Sequence, residues 1–151
     1  MAAGIAPRIV VGVDGSPSSR GALRWAVQQA RLTGGGVDAV IAWQVPTVLQ
    51  STGWAPIYIS EESDFEADAR KRIDTVISEE VAPGDDHLVR RRVVHGHPAQ
   101  ALLEVAGGAD MLVVGSRGHG GFADALLGSV GHYCVHHAHC PVLIIRDGKA
   151  D

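Results

Sequence analysis

The sequence predicts a doubly wound α/β domain, in which a parallel sheet carries helices on both faces. Short apolar segments rich in β-branched residues alternate with longer segments whose apolar residues recur at helical spacing. Strands separated by helices require right-handed crossovers, which produce a parallel sheet. Because 151 residues suffice for one sizeable core but not comfortably for two, we expect one domain over residues 1–151.

Composition excludes several classes of protein. The net charge of −4 argues against a nucleic-acid binder, which normally presents a basic face. No apolar run is long enough to span a membrane, and Pro7 and Arg8 interrupt the N-terminal run before it could form a signal segment. Cys134 and Cys140 do not form a disulfide framework, so we expect a reduced, cytoplasmic setting.

The first half of the chain contains two predicted strands, Arg8–Val13 and Val37–Trp43, with a helix between them. Ser16 is a favourable N-cap and Pro17 suits the first helical position. The segment that follows the second strand, up to Ser60, is long for a loop and is either a surface flap or a lid. Two apolar stripes define the first two helices: Ala22, Leu23, Ala26, Val27 and Ala30, and then Phe65, Ala69, Ile73, Val76 and Ile77.

The second half contains three more predicted strands. His87–His95 has a charged middle and is typical of an edge strand, with Arg90–Arg92 on a solvated segment. Asp110–Gly115 is apolar on both faces and predicts an inner strand. Short helices are expected from about Pro98 and over Ser129–Ala138, and the last strand over Pro141–Arg146.

Ligands of open α/β sheets bind beyond the carboxyl ends of the strands, where the connections diverge. The first strand ends in Val13 and Asp14, and the fourth in Gly115, Ser116 and Arg117. If these strands are neighbours, both ends line one crevice.

A glycine-rich segment, residues 115–129, follows the fourth strand and has three interpretations as a phosphate loop. The Walker pattern fails because Gly121 and Phe122 stand where lysine and serine are required. A dinucleotide pattern begins at Gly118, but no acidic residue lies about 20 positions further on to bind a ribose.

The third interpretation combines Gly115, Gly118, Gly128 and Ser129. The glycines let the backbone approach a ligand, and the unpaired N–H groups at the start of the last helix form an anion site. Each hydrogen bond to a charged group contributes about 1.5–3 kcal/mol, so three or four can replace a lysine. Residues 119–127 would then cover the ligand. A plain glycine-rich loop is the alternative.

The spacing Gly115-x2-Gly118-x9-Gly128-Ser129 resembles the ATP-binding signature of the universal stress proteins. The segments "IVVGVDGSPSS" and "VHHAHCPVLIIR" are similar to that family too, so the resemblance covers the whole chain. It implies a five-stranded parallel sheet in the order 3-2-1-4-5 and an ATP-binding regulatory protein of the stress response. One departure is Gly131, where the family often has serine.

The resemblance also implies roles for individual residues. Asp14 would contact the ribose, or reach the nucleotide through water or Mg²⁺, and the backbone of Ala42 would meet adenine. The implied nucleotide site comprises Val13, Asp14, Ala42, Gly115, Ser116, Arg117, Gly118, His119, Gly128, Ser129 and Val130.

The sequence shows no obvious catalytic base or γ-phosphate clamp beside this site. A hydrolase needs a base or positioned water and a charge clamp on the γ-phosphate, and no second carboxylate is evident near the loop. Arg117 and His119 could supply positive charge, so slow ATPase activity or autophosphorylation is the most that we expect. An ATP-independent chaperone-like or interaction module with an empty loop is the alternative function.

The C-terminal segment raises two further questions. His132 and His136 are four residues apart and could ligate zinc, but Cys134 projects from another helical face, so we expect no metal site. The last strand is apolar on both faces, which is unusual for an exposed edge. We therefore expect a homodimer through Val142–Arg146, an assembly that the resemblance also implies.

Overall fold

A computed structural model describes residues 6–45, 62–117 and 127–146 of the chain. Five parallel strands form one sheet in the order β3-β2-β1-β4-β5. This confirms the expected fold class and strand order. The strands are β1 (Arg8–Gly12), β2 (Gly36–Trp43), β3 (Val89–His95), β4 (Met111–Gly115) and β5 (Val142–Ile145).

Helices cover both faces of this sheet. In the described ranges they are α1 (Pro17–Thr33), α2 (Glu62–Glu80), α3 (Pro98–Val105) and α4 (Ser129–His137). α1 and α2 pack on one face and α3 and α4 on the other, so there are two apolar clusters. No helix in the described ranges has the length and apolar character needed to cross a bilayer.

The local signals for α1 act as predicted. Ser16 is its N-cap and accepts a hydrogen bond from the N–H of Ser19, and Pro17 follows at N1. Gly34 ends the helix in the left-handed region, with φ of 73°, and its N–H donates to the carbonyl of Ala30. The buried residues include the whole predicted stripe: Ala22, Leu23, Ala26, Val27 and Ala30.

The predicted element boundaries need small corrections. The third strand begins at Val89 rather than His87, because Pro83–Leu88 forms a 3₁₀ helix. The arginines of β3, an edge strand, face solvent and acidic neighbours, and Arg91 pairs with Asp74 at 2.7 Å and Asp86 at 3.3 Å. Most of the segment predicted to be a flap or lid, residues 46–61, lies outside the described residues.

A partly buried ion pair holds the amino end of the sheet, opposite the strand ends that line the predicted crevice. Asp38 of β2 is 4% exposed, and its Oδ2 accepts a hydrogen bond of 2.8 Å from Arg8 Nη1. Arg8 also donates to the carbonyls of Val105 and Gly107, and its backbone N–H donates to Asp110. One arginine of β1 therefore links β2, the end of α3 and the start of β4.

We expect Asp38→Asn to lower the free energy of unfolding by about 2 kcal/mol, because the half-buried Arg8 side chain loses a charged hydrogen-bond partner that is itself buried. Urea unfolding at pH 7 measures the change. Asp74→Asn, which alters an exposed pair, is the matched control and should cost less than about 1 kcal/mol. Equal losses in the two variants would contradict the assignment.

A second charged group joins α1 to the end of α2. Glu80 accepts hydrogen bonds from Arg20, at 3.0 Å, and from Arg24. Burial alone would raise the pKa of Glu80, but the hydrogen bonds from the two arginines outweigh it and lower that pKa below its usual value. A carboxylate with a lowered folded-state pKa stabilises the protein above its unfolded pKa, and this contribution is lost as the pH falls.

Glu80→Gln should therefore reduce stability at pH 7 and reduce the loss of stability between pH 7 and about pH 3.5, since glutamine does not titrate. Urea midpoints across this range for the wild type and the variant provide the measurement. An unchanged acid dependence in the variant would show that the arginines do not favour the ionised form of Glu80.

Candidate functional site

A cavity of about 320 Å³ lies beyond the carboxyl ends of β1, β2 and β4. This is the point where the connections of neighbouring strands leave for opposite faces of the sheet, as expected for a ligand site in this architecture. The lining residues are Gly12, Val13, Asp14, Ser16, Ser19, Val40, Ile41, Ala42, Arg72, Pro98, Leu102, Val114, Gly115, Arg117, Gly128, Ser129, Val130 and Gly131.

One part of the cavity wall is apolar and belongs to the α3–α4 face of the sheet. Val40, Leu102 and Val114 are members of the apolar cluster on that face, and Val130 packs against it. Gly12 faces the same side, because a Cβ atom there would lie 2.9 Å from Leu102 Cδ1. Such an apolar wall suits the flat ring of a nucleobase.

The turn after β1 holds Asp14 at the cavity. Asp14 Oδ1 accepts hydrogen bonds from the N–H of Ser16 at 2.9 Å and from the Ser16 hydroxyl at 2.5 Å. Gly15 completes the turn with φ of 86°, a conformation that favours glycine. The carboxylate of Asp14 is thus oriented by the same serine that caps α1, and one of its oxygens is partly committed to the turn.

The end of β4 packs directly on the first turn of α1. A Cβ atom at Gly115 would lie 2.7 Å from the backbone nitrogen of Ser19 and closer still to Ser18 Oγ. The buried Ser18 hydroxyl donates to the carbonyl of Arg117 at 2.7 Å. Gly115 is therefore required for close helix–strand packing as well as for lining the cavity.

The amino end of α4 opens onto the same cavity. Gly128 is its N-cap, in an extended conformation with φ of −70° and ψ of 168°, and as a glycine it forms no side-chain cap, so we call this helix start uncapped. The N–H of Gly128 is already used, since it donates to the carbonyl of Ser116 at 2.6 Å. The N–H groups that a helix start leaves without intrahelical partners here belong to Ser129, Val130 and Gly131.

Gly131, where the resemblance led us to note a missing serine, is buried within α4. A Cβ atom at this position would lie 2.7 Å from Leu127 Cδ1. The side chain of Leu127 thus takes the space that a serine side chain would need.

The structure brings most of the predicted site residues together. Ser116 does not line the cavity: it is 3% exposed, and its N–H donates to the carbonyl of Ile145 while its own carbonyl accepts from Gly128. Gly118 and His119 lie outside the described residues. The predicted residues that do line the cavity are Val13, Asp14, Ala42, Gly115, Arg117, Gly128, Ser129 and Val130.

Sequence reasoning missed the contributions of α2 and α3. Arg72 of α2 and Pro98 and Leu102 of α3 line the cavity, although all three belong to helices and none was among the predicted site residues. Pro98 and Leu102 lie on the predicted short helix, but nothing in their own spacing distinguishes a cavity wall from core packing. Gly12 could have been found, because it is the last residue of β1 and directly precedes the predicted Val13.

The histidine- and cysteine-containing segment does not form a metal site among the residues described. No group of three or more histidine, cysteine or acidic side chains there is arranged to hold a metal ion. The rings of His132 and His136 lie 4.6 Å apart on α4. Cys134 is fully buried, and burial followed by the influence of Cys140 raises the pKa of its thiol to about 11, so it stays protonated at neutral pH.

Comparison with solved structures places the fold among known proteins. The hypothetical protein MJ0577 superposes with a TM-score of 0.76 at 18% identity, covering 95% of this chain and 98% of that one. A universal stress protein solved in complex with cAMP gives a TM-score of 0.68 at 30% identity, covering 94% and 98%. One from Archaeoglobus fulgidus in complex with dAMP gives 0.66 at 20% identity, covering 93% and 98%.

Comparison of sequences gives the same grouping. Universal stress protein Rv1996 of Mycobacterium tuberculosis is 35% identical over 153 aligned positions, covering 92% of this chain and 48% of the relative. The chain thus spans about half the length of these curated relatives. The model of the universal stress protein family matches residues 6–146. The chain therefore belongs to the universal stress protein family.

Proposed function

We propose that this chain binds an adenine nucleotide, ATP in the first place, at the carboxyl ends of β1 and β4, and that it acts as a regulatory protein of the stress response in the cytoplasm. The observation that carries the proposal is the uncapped start of α4, which opens onto a cavity with an apolar wall. A base and a phosphate chain need these two environments side by side. That the 30%-identical relative was solved with cAMP supports an adenine ligand.

In this proposal the phosphates accept hydrogen bonds from the N–H groups of Ser129, Val130 and Gly131, with the α4 dipole adding positive potential. The N–H of Gly128 is not among these donors, because it already donates to the carbonyl of Ser116. Gly118 and His119, which lie outside the described residues, stay in the proposed site, Gly118 as a phosphate contact and His119 as a source of positive charge. Gly115 and Arg117 border the ribose and phosphates.

Asp14 would accept a hydrogen bond from the ribose or hold Mg²⁺ on the phosphates. Ser16 orients its carboxylate, so little rotamer freedom is lost on binding. The backbone of Ala42, at the end of β2, would meet the adenine edge beside the apolar wall.

We further propose that the bound nucleotide undergoes little or no turnover. Among the described residues that line the cavity, Asp14 is the single carboxylate, and Ser16 engages one of its oxygens. Phosphoryl transfer needs a base or positioned water together with a charge clamp on the γ-phosphate. Slow ATPase activity or autophosphorylation remains compatible with this site, whereas turnover near 1 s⁻¹, within the range of ordinary enzymes, would contradict the proposal.

Ser129→Pro tests the phosphate role of the helix start. Proline is favoured at the first helical position, and the extended conformation of Gly128 suits a residue that precedes proline, so the variant should fold normally. Loss of one N–H donor should weaken ATP binding about tenfold or more in calorimetric titration, with adenosine affected little.

Ser129→Ala is the matched control, since it removes the hydroxyl but keeps the N–H. Equal affinities of the two variants for ATP would show that the amide makes no phosphate contact. If the wild type binds neither ATP nor any other adenine nucleotide, and releases none on denaturation, the chain instead functions as an ATP-independent interaction module.

We also propose that the protein forms a homodimer through β5. This strand ends the sheet, and its four residues, Val142–Ile145, are apolar and half-buried. The carbonyls of Pro141 and Ile145 accept hydrogen bonds from the neighbouring β4 side. Because backbone groups alternate along a strand, those of Val142 and Ile144 face the open edge, where a second copy can pair with them.

Light scattering at micromolar concentration should give twice the mass of the chain. Val142→Pro should shift the protein toward monomer, because it removes an edge N–H at the first strand position, where proline is tolerated. Circular dichroism checks that the variant is folded. A monomeric wild type, or a variant that is folded and fully dimeric, would contradict pairing through this edge.

A further inference from the structure

Arg72 gives the cavity a cationic wall from an element that lies outside the glycine-rich signature. It belongs to α2, where Ala69, Ile73 and Val76 are buried against the sheet and hold the helix in place. Arg72 is itself solvent-exposed and lines the cavity together with Asp14 and Ser16. A long, flexible cation therefore borders a partly enclosed space.

This guanidinium has no ionic partner within the described residues. Asp68 lies one turn earlier on α2, yet neither it nor any other carboxylate described lies within ion-pair distance of Arg72. Arg70, two positions earlier, pairs with Glu66 at 3.2 Å. Most other arginines of the described residues, Arg8, Arg20, Arg24, Arg31, Arg90 and Arg91, also pair with carboxylates.

The position of Arg72 relative to α4 makes it complementary to the anion site already described. α2 packs on one face of the sheet and α4 on the other, and both reach the same cavity at the strand ends. Positive potential thus enters from two sides, from the Arg72 guanidinium and from the uncapped start of α4. Arg117 adds a second cationic side chain at the end of β4, against one carboxylate, Asp14, among the described lining residues.

We propose that Arg72 binds a phosphate group of the nucleotide and makes affinity rise with the number of phosphates, so that it selects nucleoside di- and triphosphates over the nucleoside. This inference rests on the proposed function. The planar guanidinium donates two parallel hydrogen bonds to phosphate oxygens, a geometry that a lysine ammonium cannot reproduce. The amides of α4 bind one part of the phosphate chain, and Arg72 binds another part from the opposite side.

The test compares binding of adenosine, AMP and ATP to the full chain by isothermal titration calorimetry, with the wild type, Arg72→Gln, Arg72→Lys and Arg70→Gln. Arg70→Gln is the matched control, because it removes the same charge from the same helix outside the cavity. Arg72→Gln should weaken ATP binding about tenfold or more and leave adenosine binding unchanged. Arg72→Lys should recover part of the loss.

Three outcomes would overturn the inference while ATP binding by the wild type stands. They are unchanged ATP affinity of Arg72→Gln, an equal loss for adenosine, which would indicate contact with the base or simple packing, and an equal loss in Arg70→Gln, which would indicate a long-range charge effect. If the wild type binds no adenine nucleotide, the proposed function and the role of Arg72 fail together.

Discussion

The contact between the end of β4 and the first turn of α1 organises the carboxyl edge of the sheet. Gly115 lies so close to Ser18 and Ser19 that a side chain cannot be placed there, and the Ser18 hydroxyl holds the carbonyl of Arg117. β1 leads into α1 through the Asp14 turn, so the same contact sets the distance between the two strand ends that border the cavity. Helix–strand packing therefore positions these strand ends at the cavity.

The backbone continues this organisation across β4. The N–H of Ser116 donates to Ile145 of β5, and its carbonyl accepts from Gly128, which begins α4. One buried residue therefore connects the edge strand with the helix whose amino end faces the cavity. The proposed dimer interface on β5 and the proposed phosphate site on α4 are thus connected by two backbone hydrogen bonds through Ser116.

The missing lysine of the glycine-rich segment has a consistent explanation in these contacts. Backbone amides at a helix start carry no net charge but are held in place, and each contributes a hydrogen bond without loss of side-chain entropy. The cationic side chains that accompany them, Arg72 and Arg117, come from different elements. In the proposed site, the groups that would recognise phosphate are therefore distributed over α2, the end of β4 and α4 instead of being concentrated in one contiguous loop.

Sequence alone determined the class of fold, the stripe of α1, most of the stripe of α2, the N-cap of α1 and the residues at the ends of β1 and β4, because these follow from local periodicity and strand-end rules. The sequence also indicated that the last helix begins at Ser129, since Gly128 and Ser129 are typical of a helix start. Other features needed the tertiary structure. The N–H of Gly128 donates to Ser116, Leu127 fills the space beside Gly131, and Arg72 lines the cavity. Each of these contacts joins residues that only the packing of the elements brings close together. Local sequence rules describe which face a residue occupies on its own element, but only the packed sheet decides which elements share a cavity and which of their polar groups are already used.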